Sequence, residues 1–162
     1  MGMFGFILAI QLAVIVIVVF NSIKIVKEYQ RIVVFRLGKL FGVLGPGVVF
    51  VWPVIDQPIW VDLRESKFEL PKVDCITKDR IKVSLRVVVK WQITDPSASV
   101  INVRDLGGSS RDLTEKSVRD AISECSSADI PFKKKEIGLT IKEKLEFEMK
   151  SWGVKIISIE VK

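Results

Sequence analysis

Every Lys, Arg, Asp and Glu of this chain lies at or after Lys24, so the first stretch carries no charge at all. From Met3 to Phe20 the only side chain able to hydrogen-bond is Gln11; Met3 apart, the remainder is Phe, Ile, Leu, Val, Ala and Gly. At about 1.5 Å per helical residue this run covers roughly 27 Å, close to the ~30 Å hydrocarbon thickness of a bilayer. Each Leu, Ile, Val or Phe contributes about −0.3 to −0.6 kcal/mol to insertion, which outweighs one Gln. The expectation is a transmembrane anchor over residues 3–22. A cleaved signal peptide fits less well, because no basic residue precedes Phe4 and Phe20-Asn21-Ser22-Ile23 is a poor cleavage site. Without a Pro in the run, nothing imposes a kink or a re-entrant hairpin.

The flanking charge sets an expected topology. Lys24, Lys27, Arg31, Arg36 and Lys39 follow the run, against Glu28 alone. By the positive-inside rule the C-terminal domain is then cytoplasmic and the amino terminus outside, a single-pass arrangement. Cys75 and Cys125 form neither a metal spacing nor a disulfide framework, which suits a reducing compartment.

After the run the pattern becomes that of strands. Arg31 to Leu37 is a β-branched run closed by Gly38. Gly45-Pro46-Gly47 signals a turn, and Val48 to Trp52 is a continuous apolar run stopped by Pro53. Ile59, Val61 and Leu63 alternate with polar or outward positions, and the apolar phase then shifts to Phe68 and Leu70, predicting a break near Ser66. From Ile81 to Ile93 every odd position is apolar, which predicts a strand with one face on a core and one in water.

Past Thr94-Asp95-Pro96 the pattern turns helical. Gly107-Gly108-Ser109-Ser110 supplies a loop and candidate caps for a helix carrying Leu113, Val118, Ala121 and Ile122. A second helix follows Pro131, with Ile137, Ile141, Leu145 and Met149 on one face. Gly153 is a natural C-cap, and Val154 to Val161 reads as a closing strand. Strands followed by helices give an α+β class with an antiparallel sheet.

Four groups of residues, Phe35-Arg36-Leu37-Gly38-Lys39, Gly45-Pro46-Gly47-Val48-Val49-Phe50 with Pro53, Thr77-Lys78-Asp79, and Trp152-Gly153-Val154, resemble in order and spacing the stomatin pattern. The family is the stomatin-prohibitin-flotillin (SPFH, or band-seven) superfamily, stomatin-like being the nearest branch. The resemblance covers residues 23–162 and implies a membrane-bound SPFH domain with packed helices. Such domains self-associate into large assemblies, organise membrane microdomains and modulate neighbouring channels and proteases. Family members usually continue past the last strand into an Ala/Glu-rich coiled-coil helix; the chain stops at Lys162, and that helix is expected to be absent. The Pro typical of hairpin-inserting relatives is missing too, which favours a full span.

Enzymatic constellations are not evident. With no His there is no imidazole base and no Ser-His or Cys-His pair. Gly107-Gly108 lacks the Lys and Ser/Thr of a phosphate loop. Neither a cofactor, a metal nor nucleic acid is expected. Lys133-Lys134-Lys135 reads as a solvated helix start sooner than as a headgroup site. Phe41 to Trp52 has two readings: a segment dipping into the membrane interface through Phe41, Leu44, Val48, Phe50 and Trp52, or a hairpin inside the core. The resemblance favours the first. Lys134, Lys142, Glu143, Glu146 and Lys150 on the last helix are candidates for subunit packing. The expected function is an oligomeric membrane scaffold whose partners are the lipid bilayer, copies of itself or a related chain, and a channel or protease. The alternative is a monomeric or small-oligomer adaptor regulating one such partner. Catalysis by Cys75 or Cys125 is the enzymatic reading, and it is disfavoured.

Overall fold

The computed structural model describes residues 2–162, with side chains from Phe6 onward. The chain divides into two compact units, one ending at Asp62 and one running Leu63–Lys162.

The first unit opens with helix α1, Gly2–Ser22. Here one expectation fails. Among the described residues no helix is long and apolar enough to cross a membrane. The last turn of α1 is polar: Asn21 Nδ2 donates to the Ile17 carbonyl at 3.0 Å and Ser22 Oγ to that of Val18 at 2.7 Å. The transmembrane helix over 3–22 and the single-pass topology with a cytoplasmic C-terminal domain are therefore not supported. The placement of the amino terminus at Met1 lies outside the described residues.

Five strands follow: β1 (Ile23–Val26), β2 (Gln30–Arg36), β3 (Lys39–Leu44), β4 (Gly47–Phe50) and β5 (Asp56–Asp62). They form an antiparallel ribbon β1-β4 and an antiparallel sheet β3-β2-β5. Val26, Ile32, Val34 and Val51 make a small core, with Leu44 and Val49 packed against it. The Gly-Pro-Gly turn does not join two paired strands. It carries the chain from β3 in the sheet to β4 in the ribbon. Glycine is required at its start, since Gly45 has φ +112° and a Cβ there would lie 2.7 Å from Val26 Cγ1.

The second unit is a sheet of β6 (Ser66–Ile76), β7 (Lys82–Ile93) and β8 (Val154–Val161), antiparallel in the order β6-β7-β8. The break predicted near Ser66 is the gap between β5 and β6. Along β7 the odd residues Leu85, Val87 and Val89 are buried, as the alternation predicts. Helices α2 (Pro96–Ile101), α3 (Leu106–Ser123) and α4 (Lys134–Met149) complete the unit. Val118, Ala121 and Ile122 of α3 and Ile137, Ile141, Leu145 and Met149 of α4 share one core with the odd side of β7. The α+β class holds.

Gly107 to Ser110 are not a loop. They are the first turns of α3, because Asp105 caps the helix by accepting from Gly108 N at 3.1 Å. Gly153 does close the helical segment, at φ +68°. Its carbonyl accepts from Thr94 N at 2.8 Å and Asp95 N at 3.0 Å, so one residue joins the start of β8 to the end of β7.

Candidate functional site

Residues directly opposite one another in an antiparallel pair share a face. In the β1-β4 ribbon Ile23 stands opposite Phe50 and Ile25 opposite Val48. All four are apolar and none is covered; Ile25 and Val48 are each 75% exposed. Trp52 extends this face, its ring 5.3 Å from that of Phe50 at 87°, an edge-to-face contact. The other side of the ribbon carries Val26 and Val49 into the core. Four residues of ribbon thus separate a buried side from an exposed apolar side.

Three of the interface candidates, Val48, Phe50 and Trp52, are brought together here. Leu44 is half-buried against the core of the unit. Phe41 sits at the β2-β3 bulge and is exposed; its ring lies 4.0 Å beneath the Arg36 guanidinium. Ile23 and Ile25 complete the face but were hidden in the sequence. Their alternation with Lys24 is only one period long and directly follows the apolar run.

Arg36 also grips Asp56 at two points, Nε to Oδ1 at 2.7 Å and Nη2 to Oδ2 at 2.9 Å. Trp52 N donates to the same carboxylate at 3.0 Å. The Asp56 side chain is only 1% exposed. The hydrogen bonds from Arg36, aided by the Trp52 amide, hold its carboxyl below the ordinary carboxylate range, against the opposing effect of desolvation. The pair raises the Arg36 guanidinium in turn.

The packing candidates on α4 do not form one patch. Lys134 opens the helix and Lys150 follows its end. Lys142 and Glu146 pair at 3.6 Å, and Lys142 Nζ donates to the Ile157 carbonyl of β8 at 3.2 Å. Glu143 lines a groove between α3 and α4 instead.

Neither cysteine sits in a catalytic setting. Cys75 is 2% exposed, and burial pushes its thiol up, which disfavours the thiolate. Cys125 donates to the Ala121 carbonyl at 3.3 Å. The Thr77-Lys78-Asp79 turn is a fastening. Asp79 accepts from Ser126 Oγ and from Ser127 N at 3.0 Å, and those bonds, led by Ser126, lower its carboxyl. Among the described residues no group of three or more His, Cys, Asp or Glu could hold a metal ion.

Comparison with known proteins gives these surfaces a context. The family model for the SPFH domain / Band 7 family matches residues 24–162. A stomatin homolog of Pyrococcus horikoshii is 30% identical over 157 residues, 97% of this chain and 59% of its own length. Stomatin-3 of Caenorhabditis elegans is 34% identical over 146 residues, 89% of this chain and 55% of its own. Stomatin of Mus musculus is 32% identical over 142 residues, 86% and 50%. The chain spans roughly three-fifths or less of these relatives' lengths. It belongs to the SPFH domain / Band 7 family and is homologous to the stomatin-like proteins.

Proposed function

We propose that the chain is a self-associating scaffold that works against a lipid bilayer, confining and modulating neighbouring membrane proteins such as a channel or protease. The observation that carries this reading is the apolar face of the β1-β4 ribbon, with Ile25 and Val48 each 75% exposed and Trp52 beside Phe50. Contiguous apolar surface of this kind is costly in water and marks a contact site. Trp and Phe at its margin suit the headgroup level of a membrane. Helix α1 adds exposed Phe, Ile, Leu and Val side chains from Phe6 to Phe20. No span is required; the face works by lying on lipid.

In this reading unit 1 holds the scaffold to the bilayer while unit 2 packs against neighbouring copies. The exposed members of the α4 set, Lys134, Glu143 and Lys150, are the part of that helix available for packing. Confinement is then geometric: an array of domains at the membrane encloses the lipid and protein between its members.

Flotation of the full chain with phospholipid vesicles tests the lipid contact. The Ile25→Glu/Val48→Glu variant changes only well-exposed side chains, so the fold is retained. Vesicle binding is expected to fall by at least about tenfold, since each charge must be desolvated where an apolar group was welcome. Equal flotation of variant and parent would refute the lipid contact.

A further inference from the structure

Lys24 stands on the inner side of the β1-β4 ribbon. It lies opposite Val49, and Val49 and Val26 pack in the core of unit 1. Ile23 and Ile25, its neighbours along the strand, point the other way, onto the exposed apolar face. Lys24 is half-buried, yet it has no ion pair among the described residues. Withdrawing a cation from water without a partner is costly. The stem of such a lysine can cover apolar surface, but its ammonium here has no carboxylate to meet.

The lysine borders a cleft of about 350 Å³ at the end of α1. Ile17 and Val18 of the helix contribute to its walls, as do Val51, Pro53 and Pro58. The polar residues of the lining are Asn21, Lys24 and Asp56, and two of them are already committed. Asn21 Nδ2 donates to the Ile17 carbonyl at 3.0 Å. The Asp56 carboxylate takes both contacts from Arg36 and the Trp52 amide, so its charge is neutralised. Among the described lining residues, the uncompensated charge is therefore the Lys24 ammonium. A cleft of this size, mostly apolar with a few placed polar groups, has the form of a small-molecule site.

We infer that this cleft binds a single anionic acyl lipid, its negatively charged head on Lys24 and its chain along Ile17, Val18 and the two prolines. The ammonium brings three N–H donors and a full charge, so the contact with the head is a charge-assisted one. The apolar walls favour a chain that a free inorganic anion lacks. A cationic ligand finds no free carboxylate, because Arg36 already holds Asp56. The site is distinct from the bilayer face proposed above. That face is the outer side of the ribbon, and the cleft lies on the inner side, against α1. The outer face needs only apolar surface; the cleft selects a lipid by the charge of its head.

Calorimetric titration of the full chain, at one fixed concentration of mild detergent, tests this with short-chain probes kept below micelle-forming concentrations. Dihexanoyl phosphatidate is expected to bind at single-site stoichiometry. It should bind at least about tenfold more tightly than dihexanoyl phosphatidylcholine, whose chains match but whose head has no net charge. Inorganic phosphate is expected to bind at least about tenfold more weakly than the phosphatidate. Lys24→Gln, which keeps most of the stem, is expected to erase the preference for phosphatidate, and Lys24→Arg to keep it. Val18→Phe, which places a ring in the cleft, is expected to weaken the binding of both lipids. Equal binding of the two lipids by the parent, or a Lys24→Gln variant that keeps the preference, would overturn the assignment. Inorganic phosphate binding as tightly as the phosphatidate would overturn it too, by making the anion alone the ligand. The Ile25→Glu/Val48→Glu variant, altered only on the outer face, is expected to keep phosphatidate uptake even when vesicle flotation is lost, so the two readings fail separately. Loss of uptake in that variant would move the lipid to the outer face and overturn the cleft.

Discussion

Arg36 and Asp56 lie twenty positions apart and meet in a two-point ion pair, Nε–Oδ1 at 2.7 Å and Nη2–Oδ2 at 2.9 Å. Phe41 covers the guanidinium on one side, and the Trp52 amide shares the carboxylate. Two exposed aromatic residues thus depend for position on one almost fully buried carboxylate. Asp56 has a folded-state pKa below its unfolded value. Its contribution to stability is accordingly complete above the unfolded value near 4 and is lost as pH falls through the folded one. Urea unfolding of the parent is expected to show this acid loss, and Asp56→Asn is expected to flatten it while destabilising the chain at neutral pH.

Leu44 and Val48 separate packing from contact. Leu44 is half-buried in the unit 1 core, so Leu44→Ala is expected to lower stability by about 1–3 kcal/mol. It should leave the vesicle binding of the folded protein unchanged. Val48, 75% exposed, should behave in the opposite way when changed to Ala, weakening flotation with little effect on the urea midpoint.

The β2-β3 turn has positive φ at both central residues, Leu37 at 50° and Gly38 at 80°. That backbone favours Asn-Gly. Leu37 is 79% exposed and makes no core contact that would be lost. Leu37→Asn is expected to raise stability by about 0.5–1 kcal/mol, read from thermal or urea unfolding.

Within unit 2 the largest effects belong to residues with no exposure. Ile141→Ala is expected to cost about 2–5 kcal/mol through lost burial and the cavity it leaves. Gly153→Ala meets both a positive φ and the Asp95 carbonyl at 2.5 Å, so it is expected to destabilise the junction of β7 and β8 clearly.

Cysteine reactivity separates the two thiols by their surroundings. A thiol reagent is expected to label Cys125 before Cys75, whose thiol is buried and raised. The double variant Cys75→Ser/Cys125→Ser is expected to keep vesicle binding and self-association.

The periodic parts of this fold were legible because their periods are long. Leu85, Val87 and Val89 announce β7, and Ile137 to Met149 announce α4, since each pattern repeats enough times to fix a face. Gly153 was legible from backbone chemistry, and the break before Ser66 from the shift of apolar phase to Phe68 and Leu70. The start of α3 was not, because Gly107-Gly108 reads as a loop until Asp105 is seen to cap it. Apolar content overstated α1: the chain stays hydrophobic to Phe20, but its last turn is polar and no helix among the described residues is long and apolar enough for a span. Of the apolar face, Val48, Phe50 and Trp52 were named from composition. Ile23, Ile25 and the Asp56 clamp depend on strand register, which a four-residue strand cannot declare.

The measurement closest to the central claim is the mass of the full chain in mild detergent, by light scattering on a sizing column. The account predicts a particle of many copies. A monomer or dimer across the accessible concentration range would contradict the scaffold and turn the reading toward an adaptor acting on one partner.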